Sequence, residues 1–339
     1  GTVGIVDPLS ISDLRPLADT LHAKEVVGHA LTSDLKIFAD RFDEVPARIF
    51  DCQVAAAFCG YGLSISLADL VRDLLGHRLK KSQTVSDWSA RPLTARQLEY
   101  LVDDVLHLLD LRERLVERLR DTGRLEWFTE ECATLAEVER YRSDAGRAYL
   151  RIPGTNRLNR RELGVLRELA ALRDRIARER DVPLKYVIAD DVLAGLATLR
   201  PHRLEDLQQL RRLDPPARKA LGGAILEAVA RAERLPEDQL PAKPVRPPNQ
   251  REGLVNVMNV VVGTIAQRNE LPASLLVPRS ALERVARDVP ADRPAFERAL
   301  ELSPWRLALV GEPLWRLLSG AATLSIEGYA NGDPRISIS

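Results

Sequence analysis

Apolar positions change rhythm partway along this chain. In the first part, short runs of branched residues alternate with stretches of helical period, and from about Leu163 only the helical period remains. Val3–Val6, Glu25–His29 and Ile49–Phe50 read as short strands. Between them, Ser12–Leu17 opens a helix under a side-chain oxygen cap, Ser33 caps a helix over Asp34–Phe42, and Asp51 ends a strand and starts a helix over Gln53–Phe58. Gly60-Tyr61-Gly62 then breaks the chain ahead of an amphipathic helix over Ser66–Leu75. Thr94, with Gln97 three residues on, has the signature of a capping box.

In the helical part, Leu163, Leu166, Leu169, Ala170 and Ile176 trace one apolar face. That helix ends at Arg178–Pro183, and Val192–Leu199 forms the next. A similar passage returns at Gln267–Pro272 and Leu276–Leu282, with Pro183 and Pro272 separated by 89 residues, which predicts two related helical modules. Five prolines between Pro236 and Pro248 predict an extended spacer between them. The tail Gly328–Ser339 is expected to be loose.

With 339 residues and 45% hydrophobic content, two or three domains with sizeable cores are expected. No apolar run is long enough to span a bilayer, so no transmembrane helix is implied, and without a phosphate-binding P-loop a helicase motor is not supported. Cys52, Cys59 and Cys132 lack metal-type spacing and read as buried thiols of a reducing cytoplasm. The 49 basic and 49 acidic residues cancel, but unevenly. Residues 1–150 hold 19 Lys/Arg against 25 Asp/Glu, and residues 151–235 hold 18 against 12. An acidic lobe followed by a basic helical one suits a protein that grips phosphates away from a cation site.

The chemistry concentrates in Arg91–Asp104. Tyr100 and Asp104 lie four apart on one helix face, where a phenol and a carboxylate can position one water beside a cation, whereas Asp103 is turned about 100° away. Asp34 in His29–Leu35, Asp51 in Phe50–Phe58 and Trp88 in Asp87–Leu93 precede them in order. On these motifs the chain resembles ribonuclease D, 3′-to-5′ exoribonucleases of the DEDD superfamily in the subgroup with tyrosine in the last motif, over nearly its whole length. The resemblance implies an α/β ribonuclease H-like 3′–5′ exonuclease domain over residues 1–135. Two all-α HRDC (helicase-and-RNase-D C-terminal) domains would follow, over 160–235 and 249–322.

It further implies two Mg²⁺ or Mn²⁺ ions, with Asp34 and Asp104 as ligands and Tyr100 orienting the attacking water. His29, Trp88 and Arg91 become candidates for substrate contact, although Trp88 is equally readable as a packing residue and Asp51 mainly as a cap. Arg167, Arg173, Arg178, Arg180, Lys185, Arg211 and Arg212 become candidates for RNA phosphates. The partner implied is RNA with a free 3′ end, such as a transfer-RNA precursor, in the cytoplasm, with no nucleotide cofactor. Two departures stand out. No Asp-x-Glu pair occurs anywhere, and Lys80, in Lys80–Gln83, stands where an acidic residue is usual. The chain also opens on Gly1 and has Met258 as its only methionine. We therefore expect a member truncated before its first strands, weak or inactive alone, with an open sheet edge beside Val3–Val6. The alternative is a non-catalytic RNA- or protein-binding scaffold on a degenerate exonuclease fold.

Overall fold

The computed structural model describes residues 2–79, 87–142, 147–210, 212–243, 249–328 and 335–339. The anticipated Lys80–Gln83 loop, Arg211 and the spacer prolines Pro244, Pro247 and Pro248 lie outside the described residues. The chain forms two compact units, and the first is built from both ends of the sequence, Gly1–Arg142 with Pro247–Ser339. Ser143–Arg246 makes the second.

In the first unit, helix α1 (Arg15–Ala23) leads to strand β1 (Glu25–Gly28), helix α2 (Thr32–Phe42), strand β2 (Arg48–Asp51) and helix α3 (Cys52–Phe58). Helices α4 (Leu67–Leu75), α5 (Ala95–Leu106), α6 (Leu108–Asp121) and α7 (Leu125–Leu135) follow. β1 and β2 pair in parallel, Val26 against Ile49 and Val27 against Phe50, as the crossover through α2 requires. Among the described residues no further strand joins this pair.

Val3–Val6, read as a strand, has no strand pairing and lies exposed. Branched side chains favour extended backbone, but a strand also needs a partner ladder and one buried face. Two expected caps differ as well. The first residues of α1 and α2 have no capping side chain at the N-cap position, although the Asp13 carboxylate accepts from the Arg15 N–H at 2.9 Å.

The second unit carries α8 (Arg160–Arg180), α9 (Leu184–Val187), α10 (Asp190–Leu199), a 3₁₀ turn (Leu204–Gln209) and α11 (Pro215–Glu233). Its own core includes Leu163, Leu166, Leu169, Leu193, Leu196 and Ile225. Back in the first unit come α12 (Asn249–Arg268), α13 (Ala273–Leu276), α14 (Arg279–Asp288), α15 (Arg293–Leu300) and α16 (Pro304–Leu318). The two series repeat: Asn249, Ala273, Arg279, Arg293 and Pro304 each start an element 89 residues after its counterpart, at Arg160, Leu184, Asp190, Leu204 and Pro215. The left-handed residues that end the first and third helices keep the same step, Asp181 with Glu270 and Arg200 with Val289.

The later series does not stand apart. Its Met258, Leu276, Phe296 and Trp305 share one core with Phe50, Phe58, Leu111 and Phe128 of the nuclease-like lobe. The Trp127 and Trp305 rings stack at 4.6 Å with 9° between their planes, and Phe58 meets Trp305 at 5.7 Å. Arg124 of the lobe donates to the carbonyls of Phe58 at 2.8 Å and Asn269 at 2.6 Å. Nor is the tail wholly loose, because strand β3 (Leu324–Glu327) pairs antiparallel with strand β4 (Arg335–Ile338). Ile326 and Ile336 face each other in that hairpin, and the alternation of Ile336 and Ile338 with serine supplies the strand period.

Candidate active site

The site forms where β1 and β2 end. β1 closes on Gly28, where a Cβ would lie 2.3 Å from Leu31 Cδ2, so any larger residue here would require the Leu31 side chain to move. Ala30 follows at φ 59°. The Asp51 carboxylate, 2% exposed at the end of β2, holds the turn in place. Its two oxygens accept from the N–H groups of Ala30 at 3.0 Å and Leu31 at 2.8 Å, and from those of Gln53 at 2.8 Å and Val54 at 3.4 Å. One side chain thereby caps α3 and fixes the chain that enters α2, which explains why α2 needs no cap of its own. The capping role read for Asp51 is present, and its reach across to Ala30 and Leu31 was not foreseen, because it depends on strand pairing.

Asp34 stands in the first turn of α2 and keeps solvent contact. Desolvation by surrounding protein raises its carboxyl above the ordinary carboxylate range, and the Asp51 charge adds to the rise. On α5, Thr94 and Gln97 form the expected capping box, with the Gln97 N–H donating to Thr94 Oγ1 at 3.3 Å. One turn further, the Tyr100 hydroxyl and the Asp104 carboxylate lie close enough to shift each other's titration.

Burial lifts Asp104 above the ordinary range and outweighs the lowering influence of the Tyr100 hydroxyl, while the Asp103 and Asp34 charges lift it further. Tyr100 is likewise raised by burial and by Asp104, so its phenol stays protonated at neutral pH. The fold thus brings Asp34, Asp104 and Tyr100 together. The Asp34 charge raises the proton affinity of Asp104, and two such carboxylates form an oxygen set suited to a hard cation such as Mg²⁺ or Mn²⁺. The set is partial: among the described residues no group of three His, Cys, Asp or Glu side chains is placed to hold a metal ion.

His29 lies within electrostatic reach of Asp104 and Asp51. Its Nε2 meets the Ile65 carbonyl at 3.0 Å. A carbonyl only accepts, so Nε2 carries the hydrogen and Nδ1 is left as a bare acceptor. Nδ1 is buried and has no hydrogen-bond partner in this structure. Burial lowers the imidazole pKa and keeps the ring neutral. The Trp88 ring, 39% exposed, lies 5.8 Å from that of Tyr100 at 50°, on the rim of the same site.

Arg91 is differently employed. It donates to both Asp7 carboxylate oxygens at 2.7 and 2.6 Å and to the carbonyls of Trp88 and Ala90 at 2.8 Å. This pairing holds the Asp7 carboxyl well below the usual carboxylate range. The guanidinium fastens Asp7 to the Trp88 turn while remaining at the surface.

In the second unit the arginines read as phosphate contacts divide. Arg173 is a correction: it is 6% exposed and donates to Asp190 at 2.6 Å and to the Ile188 carbonyl at 3.1 Å. It sits on the buried stripe of α8 between Leu169 and Ile176, a position that periodicity assigns to the core once the stripe is drawn. Its counterpart 89 residues on is Val262, also buried. Arg167 is half-buried and donates to the Gln239 carbonyl at 3.4 Å. Arg178 pairs with Asp174 at 3.1 Å and Arg212 with Asp191 at 2.5 Å, both outward-facing. Arg180 and Lys185 are exposed.

The three thiols are free, and burial pushes Cys52 and Cys132 up to about 12 and Cys59 up to about 11. Thiols held protonated in this way are poor nucleophiles and poor metal ligands. Among the described residues no helix is long and apolar enough to cross a membrane.

Comparisons with known proteins agree with this architecture. A 3′–5′ exonuclease family model matches residues 1–120, and an HRDC domain model matches residues 162–229. Ribonuclease D of Granulibacter bethesdensis is 34% identical over 337 residues, covering 96% of this chain and 82% of that protein. Ribonuclease D of Acidiphilium cryptum is 35% identical over 321 residues, 93% of this chain and 80% of the relative. The crystal structure of Escherichia coli RNase D, described as an exoribonuclease involved in structured RNA processing, is similar at a TM-score of 0.78 and 30% identity, covering 93% of this chain and 84% of that one. A Bifidobacterium adolescentis protein of 20% identity shares the fold at a TM-score of 0.66, over 91% of this chain and 82% of its own. Identity of this order, sustained through both the nuclease-like lobe and the helical modules, places the chain in the ribonuclease D family of hydrolytic 3′–5′ exoribonucleases.

Proposed function

We propose that the chain works at free 3′ ends of RNA, releasing nucleoside 5′-monophosphates, with transfer-RNA precursors in the cytoplasm as its substrates. The observation that carries this reading is the convergence of Tyr100, Asp104 and Asp34 near the strand ends. Asp34 and Asp104 would hold a divalent cation, two in a site with its full set of four carboxylates, and such cations stabilise charge on the scissile phosphate. Tyr100 keeps its proton beside Asp104, and its phenol oxygen can accept from water and aim it. Neutral His29 offers Nδ1 to a substrate hydroxyl, and a ribose 2′-OH is the hydroxyl that distinguishes RNA from DNA. Trp88 presents part of its ring to the terminal base.

The domain reading assigns nuclease work to residues 1–135, an RNA-holding HRDC domain to 160–235 and a second HRDC-like domain to 249–322. The 89-residue repeat supports the last assignment. The shared core around Trp305 supports a bracing role for it in place of RNA contact.

With two of four carboxylates, turnover by these 339 residues is expected to be weak. The test is Mn²⁺-dependent release of mononucleotides from RNA. We compare the chain, its Asp104→Asn variant, and a fusion that supplies an Asp-x-Glu strand from a relative ahead of Gly1. Release that is low in the chain, restored in the fusion and abolished by Asp104→Asn in that fusion supports the enzyme. RNA binding without release in any of them would turn the reading to the non-catalytic scaffold.

A further inference from the structure

The 89-residue step sets α8 beside α12 residue by residue, and their outward faces differ in kind. On α8 that face carries Arg167, Glu168, Asp174, Arg175 and Arg178, the usual charged cover of a solvated helix. On α12 the same positions hold Asn256, Val257, Gly263, Thr264 and Gln267. No charged residue occurs from Gly253 to Gln267, in a chain that is 29% charged. Burial does not account for the difference. Val257 and Val260 are 40% and 39% exposed, and Gly253, Asn256 and Gln267 are exposed as well. The half-buried Thr264 turns its hydroxyl onto the Val260 carbonyl of its own helix at 2.9 Å, so it too can do without water.

The first copy shows how the start of such a face is closed. Gly164 of α8 lies under Leu240 and Pro241, where a Cβ would sit 3.2 Å from Leu240 Cδ2. Arg160 and Arg167 hold that segment by the carbonyls of Pro241 and Gln239. In α12 the two arginines are replaced by Asn249 and Asn256. Among the described residues, nothing comes within 4 Å of a Cβ placed at the matching Gly253, or at Gly263 further along the face.

We infer that this face of α12 is a contact between two copies of the chain, with their α12 helices packed antiparallel about a two-fold axis at Val260. The face is complementary to itself in that arrangement, which is what points to a second copy in preference to another protein. Val260 meets Val260 of the second copy, Gly253 meets Gln267, and Asn256 meets Gly263, so each small residue receives a larger one. Val257 meets Thr264 beside them. Gly253, Val260 and Gln267 follow one another at steps of seven, the spacing of a seam between two nearly parallel helix axes. Exposed Glu252 and Arg268 close the face, and only the antiparallel pairing sets an acidic end beside a basic one. A seam of about 21 Å covers less than the roughly 1,600 Å² of a standard interface, so the dimer is a weak one that forms as concentration rises.

The test is analytical ultracentrifugation of the whole chain from roughly 1 to 200 µM. The parent should pass from monomer to dimer across that range. Val257→Glu with Gly263→Asp, the residues α8 carries at these positions, should stay monomeric with an unchanged thermal melt. Disulfide trapping reads the geometry, with the parent's buried and half-buried thiols as the blank. Val260→Cys should form a linked dimer under mild oxidation. Gly253→Cys should not, because its two copies would lie about 20 Å apart. A parent that stays monomeric throughout overturns the inference. So does a dimer that the Val257→Glu/Gly263→Asp variant leaves intact, or one in which Gly253→Cys links as readily as Val260→Cys.

Discussion

Asp51→Ala is the substitution from which the site has most to lose, although Asp51 is not assigned to the chemistry. Its carboxylate is 2% exposed and accepts four backbone N–H groups, two entering α2 and two opening α3. Removing a helix cap costs about 0.5–2 kcal/mol. A buried donor left unmatched costs roughly 1–3 kcal/mol. Two helix starts lose their acceptor together, so we expect a loss of about 3–5 kcal/mol, a large share of the roughly 5–15 kcal/mol that holds an ordinary domain.

Asp51→Asn is the finer probe. It keeps one acceptor but turns an amide NH₂ toward a donor that is now satisfied, at a cost of about 2 kcal/mol. All four tryptophans, Trp88, Trp127, Trp305 and Trp315, lie in the first unit, so their fluorescence in urea follows that unit alone. At a slope of about 3 kcal/mol/M the alanine midpoint should fall by roughly 1 M or more. Because the Ala30–Leu31 turn delivers Asp34, Mn²⁺ protection against urea should fall in both variants. An alanine variant within about 1 kcal/mol of the parent would refute the reasoning, since water would then be replacing the carboxylate at both helix starts.

Three further outcomes are expected. Tyr100→Phe, which keeps ring packing and removes the hydroxyl, should lower mononucleotide release by the Asp-x-Glu fusion about 100-fold or more and leave RNA affinity unchanged. Asp34 and Asp104 both sit above the ordinary carboxyl value, so the folded state binds protons more tightly than the unfolded one and stability falls as pH rises from the ordinary value of 3.8 through the folded values. Asp104→Asn should therefore raise the melting temperature of the metal-free chain at pH 7 and abolish the stabilisation that Mg²⁺ gives the parent, both read by a thermal melt with and without Mg²⁺. Trp305→Ala should cost about 3–5 kcal/mol, because a buried ring stacked on Trp127 is lost. Hydrogen exchange should show the nuclease-like lobe loosening together with α12–α16.

The parts legible in the sequence were those governed by local rules. Thr94, Gln97, Tyr100 and Asp104 lie within one helix and its cap, so spacing alone arranged them correctly. The repeat was visible because Pro183 and Pro272 mark equivalent turns, and the full register of five elements needed only the structure's helix ends. What escaped depended on contacts far apart in the chain. The alliance of α12–α16 with the nuclease-like lobe rests on pairs such as Trp127 with Trp305 and Arg124 with Asn269, which no periodicity relates. Arg173 was read by its charge when its place on the α8 stripe decided its direction. Val3–Val6 has strand-forming side chains and no ladder, and composition cannot report whether a partner is present.

The division of the first unit between the two ends of the sequence has a consequence for biosynthesis. A ribosome adds roughly 5–20 residues per second, so Trp305 emerges many seconds after Trp127 and Phe58. During that interval the second unit, whose core is drawn from a continuous stretch of chain, can close on itself. The nuclease-like lobe meanwhile shows the face that α16 will later cover, so its folding is a late event that waits on the synthesis of α12–α16. A stop codon placed after the second unit would therefore release a polypeptide with one finished domain and one uncovered aromatic surface. Such a product is a natural client for chaperones, even though every residue assigned to catalysis has already been made.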